Sequence, residues 1–473
     1  MEEIISLKIK YSSNFGKIAL ELLNVSFMKI IIAGAGDVGF HLAQLLSIEN
    51  QDIILIDSNQ DVLDYAAGHL DLLTLKGDAT SFEVLNRANV QNADLFLAVT
   101  TLENSNLISC ILAKKLGVKQ TIARVNNPEY LVNANKEVFE KLGIDLLISP
   151  RQLAVEEIYR LVKQCSFTDV FDFEEGKISV TGVTLDEKSP LIGLSLIDFP
   201  HFAKDLDIRV LVILRSFETI IPNGDTVFQK NDHVYFISKK EKIKILQQLI
   251  GKKDKAIKNI AILGGNAQGF LAASILEKEY RVTIFEKDKN RCKELNELLN
   301  NTLVIKAEYS DFESLKEDGL GKSDVFLALT DNSETNIIAC LTAKNFGVYK
   351  TIAQVESKIY THMSQDIGVD TLINKKLIAA NNIFRFVRKG SVKAITSLHG
   401  VDAEIIEFSL EKDIKLLNKP LKSINFPKNA FIAGVIRDED SFLPNGDFVL
   451  IKGDKVIVFT LSEAILELEL LFL

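Results

Sequence analysis

At 473 residues the chain is too long for one hydrophobic core and suits three or four domains. A net charge of −9 and a pI near 5.4 exclude a general attraction to nucleic acid or anionic lipid. No stretch reaches the roughly 18–20 uninterrupted apolar residues of a membrane-spanning helix, and the N-terminus lacks an export signal, which predicts cytosolic residence.

Residues 1–27 fit none of the elements that follow. Met28 opens MKIIIAGAGDVG like a natural start, so the preceding segment reads as a misplaced start codon rather than an extra arm. Ile30–Ala33 is a short apolar run of the kind found in buried parallel strands, followed by a glycine-rich turn and a helix over Phe40–Ile48. Ile53–Ile56 is the second strand and ends in Asp57. Leu72–Leu75 is the third and runs into Gly77-Asp78-Ala79-Thr80, a helix start. Leu95–Val99 ends in Thr100-Thr101, a helix reaches about Leu116, and Thr121–Val125 and Leu146–Ile148 complete six strands before a helix through about Gln164. Such alternation predicts an α/β fold, a doubly wound parallel sheet covered by helices. Phe167–Ile250 changes character: β-branched runs broken by Pro222-Asn223-Gly224-Asp225 read as a small β-rich domain.

The pattern then repeats. Phe96–Val125 and Phe326–Val355 align without a gap, 230 positions apart, with 15 of 30 positions identical. The PNGD turn recurs at Pro444–Asp447, and Lys252–Lys255 is the charged linker between the copies. The domains are therefore 28–165 and 258–390 for the doubly wound lobes, and 166–250 and 391–473 for the small ones. Cys110 and Cys340 share one repeat position inside an apolar helical run, where thiols pack as small hydrophobes. The four cysteines and six scattered histidines show no metal-binding spacing.

Gly34-Ala35-Gly36-Asp37-Val38-Gly39 follows a strand, opens a helix, and has Asp57 18 positions beyond Gly39. That is the context a dinucleotide site requires. Gly34 makes the tight turn, Gly36 admits a pyrophosphate to the backbone, Gly39 permits close packing, and the helix N–H groups face the phosphates. Asp57 would accept from both ribose hydroxyls and repel a 2′-phosphate. Asp78, Thr100 and Thr101 point to the same crevice, although Asp78 and Thr80 read equally well as helix caps. Arg124, near the end of strand five, would meet a phosphate or a neighbouring subunit's acid; the plainer reading is a surface arginine. In the second copy Gly264, Gly265, Gly269 and Glu286 keep the pattern. Asn266 replaces the middle glycine and Gln354 replaces Arg124, which predicts weak, altered or absent nucleotide binding there.

Catalysis finds little support. Tyr159 and Lys163 have the YxxxK spacing of short-chain reductases but lie after the sixth strand, away from the central helix that those enzymes use. No P-loop is present. A binding fold without catalytic residues reads as a sensor, with an NAD-dependent oxidoreductase acting on a small carbonyl substrate as the alternative.

Together, MKIIIAGAGDVGFHLAQLL, ILID, GDAT, AVTTLENSN with AKKLG and ARV, and LLISPRQLAVEEI resemble the Trk potassium-uptake regulator (TrkA) family, over Met28 to Leu473. The resemblance implies two tandem RCK (KTN) modules, each a Rossmann lobe with a small α+β C-terminal lobe. It implies a cytosolic protein, peripheral on the inner face of the membrane, that forms a homo-oligomeric ring (dimer or tetramer) and gates a membrane potassium-transport subunit according to bound nucleotide. Gly34 to Val38 would then cradle the pyrophosphate, Asp57 the ribose, Thr100 and Thr101 the crevice, with Arg124 near the subunit interface. The implied ligand is NAD(H), with ATP or ADP as further candidates; Asp37 would repel a γ-phosphate that faced it. A glutathione-gated efflux origin is disfavoured, since such proteins usually carry one module.

Overall fold

The computed structural model describes residues 28–48, 51–203, 206–216, 218–252, 255–357, 368–387, 392–398, 403–411 and 414–472. The reading of residues 1–27 lies outside these, as do Lys253 and Asp254 of the linker. The chain forms two compact units that divide between Ser149 and Pro150.

The first unit is a six-stranded parallel sheet in the order β3-β2-β1-β4-β5-β6. Its strands are β1 (Lys29–Ala33), β2 (Asp52–Asp57), β3 (Leu73–Lys76), β4 (Leu95–Ala98), β5 (Gln120–Arg124) and β6 (Leu146–Ile148). Strands β1 and β4 are buried on both faces, which is why their sequences run apolar without alternation. Helix α1 (Asp37–Ile48) packs Leu42, Ala43 and Leu46 into the interior. Helix α2 (Glu103–Leu116) buries Leu107, Cys110 and Ala113 on the opposite face and stops at Gly117, whose φ of 118° suits a left-handed C-terminal cap. Strand order reverses between β1 and β4, so their carboxyl ends open a crevice at the topological switch point.

The second unit opens with helix α3 (Pro150–Lys163) and a five-stranded antiparallel sheet, β10-β9-β11-β8-β7. Its strands are β7 (Asp169–Phe173), β8 (Ile178–Thr184), β9 (Ile208–Arg215), β10 (Glu218–Ile220) and β11 (His233–Lys239). A second parallel sheet follows in the order β14-β13-β12-β15-β16-β17: β12 (Asn259–Leu263), β13 (Arg281–Glu286), β14 (Thr302–Lys306), β15 (Val325–Ala328), β16 (Lys350–Gln354) and β17 (Thr371–Ile373). Helices α4 (Ala267–Leu276), α5 (Ser333–Asn345) and α6 (Lys375–Val387) belong to it. The last sheet, β18-β19-β22-β20-β21, comprises β18 (Val392–Ser397), β19 (Ala403–Ser409), β20 (Ala430–Arg437), β21 (Asp440–Phe442) and β22 (Lys455–Leu461). Strand bounds fall within a residue or two of the sequence reading.

Two packing arrangements within this unit are not written in the strand pattern. Helix α3 follows the first parallel sheet in sequence but buries Ala154, Val155, Ile158 and Leu161 among Ile260, Ile262, Ala272 and Leu276 of the second. The two small lobes share one core: Phe173, Ile178, Val212 and Ile237 of the first pack with Ile405, Ala433, Ile457 and Phe459 of the second. At the rim Arg209 donates to the carbonyls of Leu443 (2.7 Å) and Pro444 (2.5 Å), and Lys177 to that of Asp438 (2.7 Å). In each small lobe an arginine forks onto a buried aspartate, Arg215 on Asp232 and Arg437 on Asp454.

Candidate nucleotide-binding site

The first glycine loop is shaped by contacts that no side chain would allow. Gly34 has φ of 107°, and a Cβ there would lie 2.8 Å from the Thr100 nitrogen. A Cβ on Gly39 would lie 1.7 Å from the Gly34 carbonyl oxygen, so α1 can begin only with glycine at that position. Gly36 differs from both: it is exposed, and a Cβ on it would meet nothing within 4 Å. The loop is therefore closed on its inner side and open on its outer side. Ala35 and Val38 are buried, while Asp37 stands exposed at the first turn of α1.

Asp57 ends β2 and secures the loop. Its Oδ2 accepts from the Ala35 N–H at 2.7 Å and its Oδ1 from that of Asn59 at 2.9 Å. A carboxylate has about four acceptor positions, so this half-buried group retains capacity for ribose hydroxyls. The Asp57 carbonyl accepts from Gly77 N–H at 2.9 Å, which brings the next loop alongside. There Asp78 is exposed, and its Oδ1 accepts from both the N–H and the hydroxyl of Thr80 at 2.9 Å. That carboxylate is engaged inside its own turn.

Thr100 lies against Gly34, with Thr101 exposed beside it and Arg124 half-buried at the end of β5. The residue that joins them went unremarked in the sequence. Asn106, 1% exposed, accepts from the Thr100 N–H (3.0 Å) and hydroxyl (2.7 Å), and donates to the carbonyls of Thr100 (3.0 Å) and Arg124 (2.9 Å). One amide thus ties the ends of β4 and β5. Its signal was present, because Asn106 and Asn336 are among the identities of the repeat, and Asn336 makes the same four bonds to Thr330 and Gln354. The open loop, the helix N-terminus, the acid beyond β2 and the half-buried guanidinium fit a phosphate-bearing nucleotide with a free ribose diol.

The family model for the TrkA-N domain matches residues 30–150 and 260–375, and that for the TrkA-C domain matches 180–251 and 405–473. The chain belongs to the TrkA family. The Trk system potassium uptake protein TrkA homolog 1 of Methanosarcina mazei is 33% identical over 455 residues, spanning 94% of this chain and 100% of that protein. The Trk system potassium uptake protein TrkA of Vibrio alginolyticus is 32% identical over 443 residues, covering 92% and 96%. Among solved structures, the GsuK channel bound to NAD superposes with a TM-score of 0.58 at 15% identity over 95% of this chain and 79% of that one, and the GsuK RCK domain with 0.57 at 15% over 95% and 96%. These likenesses show the fold: two Rossmann-like parallel-sheet lobes, each followed by a small antiparallel lobe.

In the second copy Gly264 keeps the positive φ, at 102°, and Gly269 the close approach, its Cβ position 1.9 Å from the Gly264 carbonyl oxygen. Gly265 N–H donates to Glu286 Oε2 at 2.7 Å, as Ala35 does to Asp57. Asn266 stands where Gly36 is, and its side chain is fully engaged with the lobe. Gln354 is buried at the end of β16, where Arg124 is half-buried in the first lobe.

The YxxxK pair has a structural occupation. The Tyr159 hydroxyl donates to Glu279 Oε1 at 2.6 Å and Lys163 Nζ pairs with Glu279 Oε2 at 3.2 Å, fastening α3 beside the end of α4. Cys110 and Cys340 are fully buried, and burial pushes both thiols far up. A separate cleft bordered by Lys29, Gln51, Asp52, Asp71 and Leu73 opens at the amino ends of β1–β3, away from the glycine loop. Its two carboxylates oppose an anionic ligand. Among the described residues no helix is long and apolar enough to cross a membrane, and no group of metal ligands occurs.

Proposed function

We propose that this chain is the nucleotide-binding regulatory subunit of a Trk-type potassium uptake system, gating a membrane transporter from the cytoplasmic face as a homo-oligomer. The observation that carries the nucleotide reading is the first glycine loop, closed by Gly34 and Gly39 and open at Gly36, with Asp57 fixed beside it. In this reading the pyrophosphate lies over Gly34–Gly39 at the start of α1, Asp57 takes the ribose hydroxyls, Thr100 and Thr101 line the crevice, and Arg124 supplies positive charge. Asp78 borders the ribose side. NAD(H) suits the site best, because the Asp57 charge opposes a 2′-phosphate. ATP and ADP share the ribose and the phosphates, with Asp37 set against a third phosphate.

Binding alone gates nothing unless the ligand prefers one state of the subunit over another. The crevice sits where β1 and β4 diverge, so a dinucleotide that bridges both loops would favour one spacing between them. The YxxxK pair supports a non-enzymatic reading, because Tyr159 and Lys163 are both engaged with Glu279.

Calorimetry of the full-length chain with NADH, NADPH, ATP and ADP, alongside potassium flux in vesicles holding the transporter, tests the proposal. NADH should bind saturably and at least about tenfold more tightly than NADPH, the equivalent of about 1.4 kcal/mol. It should remain unoxidised and alter flux only where the transporter is present. Absence of any nucleotide binding, or turnover of NADH with small carbonyl compounds, would overturn it.

A further inference from the structure

We propose that the second doubly wound lobe is a self-liganded pseudo-site, in which Asn266 and Tyr309 fill the hydrogen-bonding positions that phosphate and ribose take in the first. The inference rests on reading the first lobe as a nucleotide site.

At the phosphate end, the N–H groups of Gln268 and Gly269 open α4. Both donate to Asn266 Oδ1, each at 3.0 Å. Their counterparts 230 positions earlier are Val38 and Gly39, the amides aimed at a phosphate in the first lobe. A carboxamide oxygen has thus replaced the anion at the helix N-terminus. The other half of the same side chain reaches across the crevice: Asn266 Nδ2 donates to the Leu329 carbonyl at 2.8 Å and to Asp331 Oδ1 at 3.1 Å. Leu329 and Asp331 follow β15, so Asn266 straps the loop after β12 to the loop after β15 across the switch point. In the first lobe Gly36 has no side chain with which to make this strap, and a Cβ there would meet nothing within 4 Å.

At the ribose end, Glu286 is 6% exposed. Its Oε2 accepts from Gly265 N–H at 2.7 Å and from the Tyr309 hydroxyl at 2.8 Å, and its Oε1 from Asp288 N–H at 2.8 Å. Two of these bonds have counterparts at Asp57, from Ala35 and Asn59. The third does not, because position 79 is alanine where position 309 is tyrosine. The phenol therefore takes the acceptor position that remains available to a diol in the first lobe. Burial first, then the bond to Glu286 and its charge, push the Tyr309 hydroxyl up, so it stays protonated and remains a donor. Arg291 Nε also donates to the Gly265 carbonyl at 2.7 Å, holding the loop from behind.

An incoming dinucleotide would have to break the four Asn266 bonds and displace a hydroxyl from a buried carboxylate, regaining only what it broke. The duplication thus yields one lobe that responds to ligand and one that holds the liganded geometry permanently.

Calorimetric stoichiometry of the full-length chain with NADH tests this. The wild-type chain should bind one NADH. Gly36→Asn transplants the strap and should abolish that site. Adding Asn266→Gly and Tyr309→Ala to the Gly36→Asn chain should restore one site, now in the second lobe. Two sites in the wild-type chain, or an Asn266→Gly/Tyr309→Ala chain that folds yet gains none, would overturn the proposal. A wild-type chain that binds no NADH would refute the first-lobe reading, while a gained site in Asn266→Gly/Tyr309→Ala would still support the pseudo-site. Should those variants fail to fold, hydrogen exchange in the wild-type chain decides: NADH should slow exchange at Val38 and Gly39 and leave Gln268 and Gly269 unchanged, and slowing at the latter pair would sink the idea.

Discussion

Asp57 has two occupations that substitution can separate. Asparagine keeps an oxygen for the Ala35 N–H but removes the charge and turns its amide nitrogen on the Asn59 N–H; alanine leaves both amides without an acceptor. Asp57→Asn should therefore lose less stability than Asp57→Ala, together with most of the preference for NADH over NADPH. Asp57→Ala should lose NADH binding and about 1–3 kcal/mol of stability, the penalty for an unsatisfied buried group. Calorimetry with both dinucleotides and urea unfolding check the pair. Undiminished discrimination in Asp57→Asn would refute the ribose assignment. At this scale the glycines and the acid were legible, because a strand, a tight turn and a helix fix their spacing. Asn106 was not: all four of its bonds go to Thr100 and Arg124, three of them to main-chain atoms, and a polar residue within an apolar helix carries no mark of what it ties. Tyr309 escaped for a related reason, since its role depends on a carboxylate 23 residues away.

Among elements, β16 shows a duplicated position given new work. Lys350, the equivalent of exposed Gln120, is 3% exposed, and its Nζ donates to the Phe167 carbonyl at 2.8 Å and to Thr371 Oγ1 at 2.9 Å. It fastens the start of the first small lobe to the edge of the second sheet. Burial lowers its pKa below the ordinary lysine value of 10.5, against the opposing pull of Asp370, Asp169 and Cys165; Lys344 adds to the lowering. Between that lowered value and about 10.5 the unfolded chain binds more protons than the folded one, so this group's contribution rises with pH across the window and is least below it. The stability of the wild-type chain relative to Lys350→Met should accordingly increase from neutral pH toward pH 10; a difference independent of pH would contradict this. Helix α3 makes a similar point. Its period was readable, but the surface it covers was not, because an apolar stripe fits the helices of either parallel sheet equally well.

For the whole molecule, the shared core of the small lobes matters most. Each carries an apolar face that packs against the other, so the order of lobes along the chain understates their dependence. A chain ending at Val387 should leave Phe173, Ile178, Val212 and Ile237 without their partners. It should bind a hydrophobic dye and aggregate, while the wild-type chain does neither; a soluble, dye-silent truncation would show that the first lobe stands alone. The duplication itself was plain from the sequence. The mutual burial was not, since strand alternation tells inward from outward but does not identify what lies inward.

That shared core also sets a timetable for synthesis. Ile178 and its partner Ile405 are separated by the whole of the second parallel sheet, more than 200 residues of chain. At ordinary elongation rates of about 5–20 residues per second, roughly 10–45 s pass before the covering strands leave the ribosome. During that interval the nascent first small lobe presents an unpaired apolar sheet face, which makes it the segment most in need of a chaperone and the one whose misassociation between neighbouring nascent chains would exchange lobes between copies.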